Sequence, residues 1–190
     1  MTVKPPRGSD SDLAETAISS ESVFEGKLLR VRRDVVRLPN GGTAGREWVV
    51  HPGAVMIIPL LPSGDLIMER QFRYPLRRDF IEFPAGKIDP GEDPLVTGRR
   101  ELLEETGYTA ERWAHVMTWH PVIGYSNERI EVYLAEGLTR AESRLDDGEF
   151  LEVLTVSLAR AVSWLEEGLI TDLKTVAGLL WLERRRRPQA

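Results

Sequence analysis

Gly86-Lys87-Ile88-Asp89-Pro90-Gly91-Glu92, then seven residues, then Arg100-Glu101-Leu102-Leu103-Glu104-Glu105-Thr106-Gly107-Tyr108: this stretch decides how the chain is read. Asp93 can cap a helix, and Pro94 can take its first position, where a missing N–H does no harm. Gly107 stands where a left-handed stop is expected. The spacing therefore predicts a helix over Pro94–Thr106. Gly98 inside it costs about 1 kcal/mol against alanine, at a position that would allow close packing on a sheet.

The glutamates at 101, 104 and 105 fall within one helical turn. Residues three and four apart share a helix face, and like charges there cost roughly 0.2–0.5 kcal/mol per pair. They also lie near the helix C-terminus, where the macrodipole disfavours negative charge. A hard divalent cation would offset both effects, since Mg2+ binds through a few carboxylates together with phosphate oxygens of a substrate. Taken alone, the same residues also read as a solvated helix face in which Arg100 pairs with Glu104 at i,i+4.

Outward from this segment, 190 residues suit one domain with a sizeable core. The composition, 42% hydrophobic and 29% charged, is that of a globular protein. A net charge of −5 gives no global basic field to recruit nucleic acid. The absence of cysteine excludes disulfides, thiolate catalysis and cysteine-bound zinc. The start lacks an apolar stretch like a secretory signal. The run Ala54–Leu61 is too short to span a bilayer. A cytoplasmic protein is the default expectation, with no membrane partner.

Residues 1–12, rich in Pro, Ser, Gly and Asp, read as a disordered tail. Val23–Leu38 looks extended, Pro39-Asn40-Gly41-Gly42 is a turn, and Arg46–Val50 returns as its hairpin partner. Ala54–Leu61, Leu66–Tyr74 and Phe80–Phe83 read as strands before the loop Pro84–Glu92. Trp113–Trp119, Arg129–Ala135 and Glu152–Val156 read as later strands. Ser157–Glu167 is a predicted helix stopped by Gly168. Thr171 is the expected cap of a last helix to about Arg187, with Leu173, Val176, Ala177 and Leu180 on its apolar face. A mixed sheet covered by helices, an α/β (α+β) arrangement, fits this order.

The quoted segment resembles the Nudix box, Gly-x5-Glu-x7-Arg-Glu-U-x-Glu-Glu-x-Gly-U, where U is bulky and aliphatic. Every fixed position matches, with Tyr108 the one departure at the last U. The resemblance implies the Nudix fold: an α/β/α sandwich with a mixed central sheet plus an N-terminal antiparallel hairpin region. It places one Nudix domain over 13–190, with a β region at about 20–50 and a catalytic core at about 51–187. The similarity continues through Arg46-Glu47-x-x-x-His51-Pro52-Gly53-Ala54-Val55, Glu69-Arg70-Gln71-Phe72-Arg73-Tyr74 and Glu82-Phe83-Pro84-Ala85-Gly86. Tyr133-Leu134-Ala135 and Gly168-x-Ile170-x-Asp172-x-Lys174-Thr175 extend it. This pattern is similar to the ADP-ribose pyrophosphatase branch.

That branch implies Mg2+-dependent hydrolysis of ADP-ribose to AMP and ribose 5-phosphate, with Mn2+ a possible substitute and a homodimer as the assembly. Glu101, Glu104 and Glu105 are the expected metal ligands, joined by the carbonyl of Ala85; Glu104 and Glu105 are also counted as catalytic. Glu92 and Arg100 are expected to orient the helix, with Gly86 and Gly107 shaping its approach and its end. Glu149, in the loop 145–150, matches the branch's water-aiming glutamate; a solvated acidic loop is the other reading. Arg73 is expected on the diphosphate or ribose, Arg46 and Glu47 on the adenosine end, and Glu82 beside the metal loop as a supporting carboxylate on the substrate side. Arg46 and Glu47 also read as exposed strand ends. Phe24 or Tyr125 would stack on adenine. His51, His115 and His120 are too scattered for a metal site, and Trp164, Leu165 and Trp181 suit helix packing. The run Arg184–Arg187 reads as a solvated helix end. The alternatives are hydrolysis of a GDP-sugar, a dinucleoside polyphosphate or a capped RNA end, and a non-catalytic ADP-ribose sensor.

Overall fold

A computed structural model describes residues 12–142 and 150–186. In chain order its elements are β1 (Thr16–Glu25), β2 (Arg30–Arg37), β3 (Thr43–Val50), β4 (Ala54–Leu60), β5 (Asp65–Arg73), a 3-10 turn (Tyr74–Leu76), β6 (Arg78–Glu82), β7 (Ala85–Lys87), α1 (Pro94–Thr106), β8 (Tyr108–Trp119), β9 (Ile130–Arg140), β10 (Leu151–Ser157), α2 (Leu158–Glu166) and α3 (Leu173–Arg186). They fall into two compact units. One runs to His51 and takes in Val122–Glu128; the other holds Pro52–Pro121 and the chain from Arg129 onward.

The first unit is an antiparallel sheet ordered β1-β2-β3. The segment expected to be continuously extended from Val23 to Leu38 is broken at Gly26, whose N–H bonds the carbonyl of Leu29 at 2.8 Å. This turn separates β1 from β2. All ten residues of β1 are exposed, so no inward–outward alternation marked its early start. The Asn40-Gly41-Gly42 turn is as read: Gly41 takes φ 85° and the N–H of Gly42 bonds Asn40 Oδ1 at 3.0 Å.

The second unit contains the sheet β10-β5-β4-β9-β8, with β4 and β9 parallel and the remaining pairings antiparallel. Strand β4 alternates strictly. Met56, Ile58 and Leu60 face a core completed by Leu66, Met68, Val132, Leu179 and Leu182 beneath α2 and α3. Val55 and Ile57 face Leu102 of α1 with Ile88 and Ala135. The result is the expected α/β/α sandwich with a mixed sheet. No described helix is long and apolar enough to cross a membrane.

Strands β4 and β5 pair through their main chains only at their hairpin end, where Leu60 opposes Leu66. Beyond it they part, and β6 and β7 fill the gap. Strand β6 pairs with β5 from Glu69↔Glu82 to Arg73↔Arg78. Strand β7, too short to carry a readable pattern, pairs with β4 at Met56↔Ala85, Val55↔Gly86 and Ala54↔Lys87. The N–H of Ile57 bonds the carbonyl of Pro84 at 2.9 Å. The turn before Gly86 is therefore held inside the split by main-chain bonds.

Helix α3 departs from its expected face. Thr175, Gly178, Leu179 and Leu182 are buried, whereas Leu173 and Leu180 are 62% and 49% exposed. Small residues make the close contact: a Cβ on Gly178 would lie 3.0 Å from both Met56 Cε and Phe83 Cε2. The cap also differs. Asp172 Oδ2 accepts the N–H of Thr175 at 3.0 Å, while Thr171 Oγ1 accepts from Arg78 Nη2 at 2.8 Å. Strands β8 and β9 run longer than the apolar segments that signalled them, because their added residues are largely polar.

Candidate active site

Helix α1 starts and stops where its signals stand. Asp93 Oδ1 accepts the N–H of Leu95 at 2.9 Å, and Gly107 ends the helix at φ 70°, its N–H bonding Leu103 O at 2.9 Å. Gly98 lies against the sheet, where an added Cβ would approach Val55 Cγ1 to 3.2 Å. Leu102, fully buried, anchors the same face. This packing turns Glu101 and Glu105 towards Ala85 and Gly86 of β7, while Glu104 faces Arg100. Glu105, 5% exposed, accepts the N–H of Ala85 at 3.1 Å. A Cβ on Gly86 would overlap the carboxylate of Glu101, so glycine leaves the space that this carboxylate occupies.

Arg100 holds the acids together. Its guanidinium donates to Glu101 at 2.9 Å, to Glu104 at 3.1 Å, and through Nε and Nη2 to Glu92 at 3.3 and 3.1 Å. Glu92 also accepts from Thr97 Oγ1 at 2.7 Å. Hydrogen bonding to Arg100, then to Thr97, holds the Glu92 carboxyl down at about 2. Hydrogen bonding to Glu92 in turn pushes Arg100 above the ordinary guanidinium value. The like-charge repulsion along α1 is thus offset by one shared cation within the protein.

A second charged chain lies at the base of the split. Glu82 is 3% exposed, and its oxygens accept Arg73 Nε and Nη2 at 2.7 and 2.9 Å. Lys174 bonds the same carboxylate and also Asp172 Oδ2, the latter at 2.9 Å. Burial is the largest single influence on Glu82 and raises its pKa; Arg73 and Lys174 together outweigh it and hold the carboxyl below its ordinary value. Arg73 is raised, first by its bonds to Glu82 and further by the charges of Glu69 and Glu105. Arg73 therefore stands within the field of Glu105 on α1. The residue type of Lys174 carries no signal of this role; the sequence marks it only through the closing Asp172-x-Lys174-Thr175 string.

The remaining candidates are distributed as follows. Arg46 and Glu47 belong to the N-terminal unit, where Arg46 pairs with Glu15 and Glu47 with Arg33, the latter at 3.2 Å. Phe24 and Tyr125, also in that unit, are 54% and 60% exposed. Glu149 lies outside the described residues. His115 bonds Glu131 at 2.9 Å on the sheet surface. Trp164, Leu165 and Trp181 pack against the core under α2 and α3. Arg185 stacks 5.3 Å from the Trp181 ring centroid at the end of α3.

Among the described residues, no three acidic or imidazole side chains form a ready-made cation cage. A cage is not what Mg2+ requires; one or two carboxylates, waters and phosphate oxygens suffice. The donors at α1 are hard oxygens, and the space kept by Gly86 brings the Glu101 carboxylate against the backbone of the turn. The donor set fits a hard divalent cation.

The fold and this box of acids and glycines define a Nudix hydrolase: the NUDIX domain family matches residues 50–177, and the chain belongs to it. The nucleoside diphosphate sugar hydrolase N-terminal domain family matches residues 15–49. The chain is similar to an ADP-ribose pyrophosphatase of Bacillus subtilis, 40% identical over 94% of this chain and 97% of that protein. It is also similar to a methanol dehydrogenase activator of Bacillus methanolicus, 39% identical over 89% and 92% of the two chains. A solved structure of an ADP compounds hydrolase superposes with a TM-score of 0.80 at 25% identity, covering 92% of this chain and 97% of that one.

Proposed function

We propose that this protein hydrolyses the diphosphate bond of ADP-ribose to AMP and ribose 5-phosphate, with Mg2+ as its cation and Mn2+ as a substitute. The observation carrying this reading is the approach of the Glu101 and Glu105 carboxylates to Gly86 and Ala85, in a chain that resembles enzymes named for that substrate. Glu101, Glu104, Glu105 and the carbonyl of Ala85 would hold the cation. When bound, it supplies positive charge against the phosphate oxygens and acidifies water beside them.

The chain's own residues do the rest. Arg73, whose Nε and Nη2 are held by Glu82, meets the diphosphate through its outward Nη1. Arg46 and Glu47 recognise the adenosine end, and an exposed ring, Phe24 or Tyr125, stacks on adenine. Glu149 takes the proton of the attacking water. The water oxygen bonds to one phosphorus, the bridging P–O bond breaks, and its electron pair leaves on the other phosphate. Glu92 and Arg100 keep α1 in register with the turn.

We further propose one functional Nudix domain over 13–190 and a cytoplasmic homodimer. A second copy is the proposed cover for the N-terminal sheet, whose Ile18, Val23 and Phe24 are exposed along β1. An apolar strand surface of this kind invites pairing. Sedimentation at assay concentrations that finds only monomer would remove the dimer.

Steady-state assay of ADP-ribose with Mg2+ tests the activity. AMP and ribose 5-phosphate in equal amounts are expected. Folded protein that leaves ADP-ribose intact while turning over a GDP-sugar or a dinucleoside polyphosphate would replace the substrate and keep the chemistry.

A further inference from the structure

Asp172, Lys174 and Thr175 open α3 and take no part in the reaction just described, yet Lys174 and Thr175 reach Glu82 and Phe83, which lead into Ala85, and Asp172 bonds both Lys174 and Thr175. Thr175 Oγ1 accepts the N–H of Phe83 at 3.0 Å and donates to Asp172 Oδ2 at 2.7 Å. Lys174, its side chain 14% exposed, bridges Asp172 and Glu82. Glu82 in turn holds two nitrogens, Nε and Nη2, on one edge of the Arg73 guanidinium. The third nitrogen of that guanidinium, Nη1, donates to no protein group among the described residues, and the Arg73 side chain is 40% exposed.

We propose that Lys174 is a positioning residue that sets the aim and the available charge of Arg73 by sharing the buried carboxylate of Glu82 with it. This rests on the diphosphate-hydrolase reading of the site. A buried carboxylate with one cation beside it would spend that cation's charge almost wholly on itself. With two cations its field is divided. Asp172, which adds a second negative charge, already accepts from the first turn of α3, where the helix dipole favours an anion. Arg73 therefore keeps positive potential on its outward edge for a phosphate, while its other two nitrogens remain fixed. Lys174 is too enclosed to serve as the phosphate contact itself.

The linkage makes a split prediction in kinetics. Arg73 meets the diphosphate in the ground state and the transition state alike, so its misplacement falls mainly on KM. Lys174→Met should raise KM for ADP-ribose by about tenfold or more with kcat changed by less than about threefold, and Lys174→Arg should recover most of the loss. In an Arg73→Lys background the same Lys174→Met change should move KM by less than about twofold, because the group it acts through is gone. A lysine with a purely structural role would give the same KM rise in both backgrounds.

A second readout needs no substrate. In 15N-labelled protein the Nε–H of Arg73 should exchange slowly with water in the wild type and more slowly still in Lys174→Met, where Arg73 is the one cation left on Glu82. Unchanged exchange, a KM within about twofold of wild type, or additive effects in the two backgrounds would overturn the proposal. Lys174→Gln is measured alongside, since it keeps a hydrogen-bond donor and removes only the charge; loss of fold in both variants would also overturn it. If the wild type releases no AMP from ADP-ribose, the functional reading fails by itself, and the Arg73 exchange measurement still decides the positioning.

Discussion

Glu105 Oε2 accepts the backbone N–H of Ala85 at 3.1 Å, so the last acid of α1 is fastened to the residue whose carbonyl is the proposed cation ligand. One helix side chain thereby sets the distance between the helix and the turn. Glu104, by contrast, is tied to Arg100 within its own helix. The two neighbouring acids differ in what their removal would disturb.

Glu104→Gln and Glu105→Gln should each lower kcat/KM by about 10²-fold or more, a loss of roughly 2.7 kcal/mol in transition-state stabilisation. Gln keeps an acceptor for the Ala85 N–H, so Glu105→Gln should remain folded. Steady-state kinetics with Mg2+ titration by calorimetry checks both. Near-wild-type turnover in the pair would remove these residues as cation ligands.

Gly86→Ala should damage the site more than the fold. The added Cβ meets the mobile end of Glu101 rather than backbone, so the side chain yields and the carboxylate leaves the turn. Mg2+ affinity should fall by about tenfold or more with little change in melting temperature. Unaltered Mg2+ binding by calorimetry would refute the role given to this glycine.

Acid stability should depend on Glu92. Its folded-state pKa of about 2 lies below the ordinary value of 4.5, so the unfolded chain takes up the proton first. The stabilisation is complete above about pH 4.5 and is lost as pH falls towards about 2. Melting curves across that window should fall less steeply for Glu92→Gln than for the wild type. Parallel curves would show that the bonds to Arg100 and Thr97 contribute no linkage.

Gly178→Ala sets a helix gain of about 1 kcal/mol against crowding of Met56 and Phe83, both fully buried. Overpacking of this kind costs roughly 1–3 kcal/mol. Phe83 is the rigid partner, and its N–H is also bonded to Thr175, so a net loss is expected. Thermal denaturation should show a lower Tm; an increase would mean that α3 lies less tightly on the sheet than its contacts indicate.

Local signals made α1 readable to the residue: Asp93, Pro94 and Gly107 each act within a turn of where they stand. The acids were likewise visible because their chemistry is carried by spacing along one helix. Other features depend on partners remote in sequence. Strand β1 has both faces in solvent and so no period to detect. The buried face of α3 is built on Thr175 and Gly178, whose value there comes from the shapes of Met56 and Phe83. Asp172 prevailed over Thr171 as the cap because Arg78 engages the threonine. Glu82 is legible from its place just before Ala85-Gly86, but its sharing between Arg73 and Lys174 joins three separate elements, and no local pattern encodes that.

The parting of β4 from β5 has a bearing on how the protein is made. Ribosomal synthesis delivers β4, the wedge of β6 and β7, and α1 before β9 and β10 exist. Yet β9 flanks one jaw of the split and β10 the other. Pairings between such distant segments must meet the entropy of loop closure before they are rewarded. A nascent polypeptide released just after α1 would therefore carry the whole glutamate-rich segment and still lack its geometry. Competence for diphosphate cleavage is then acquired late and all together, when the C-terminal strands dock.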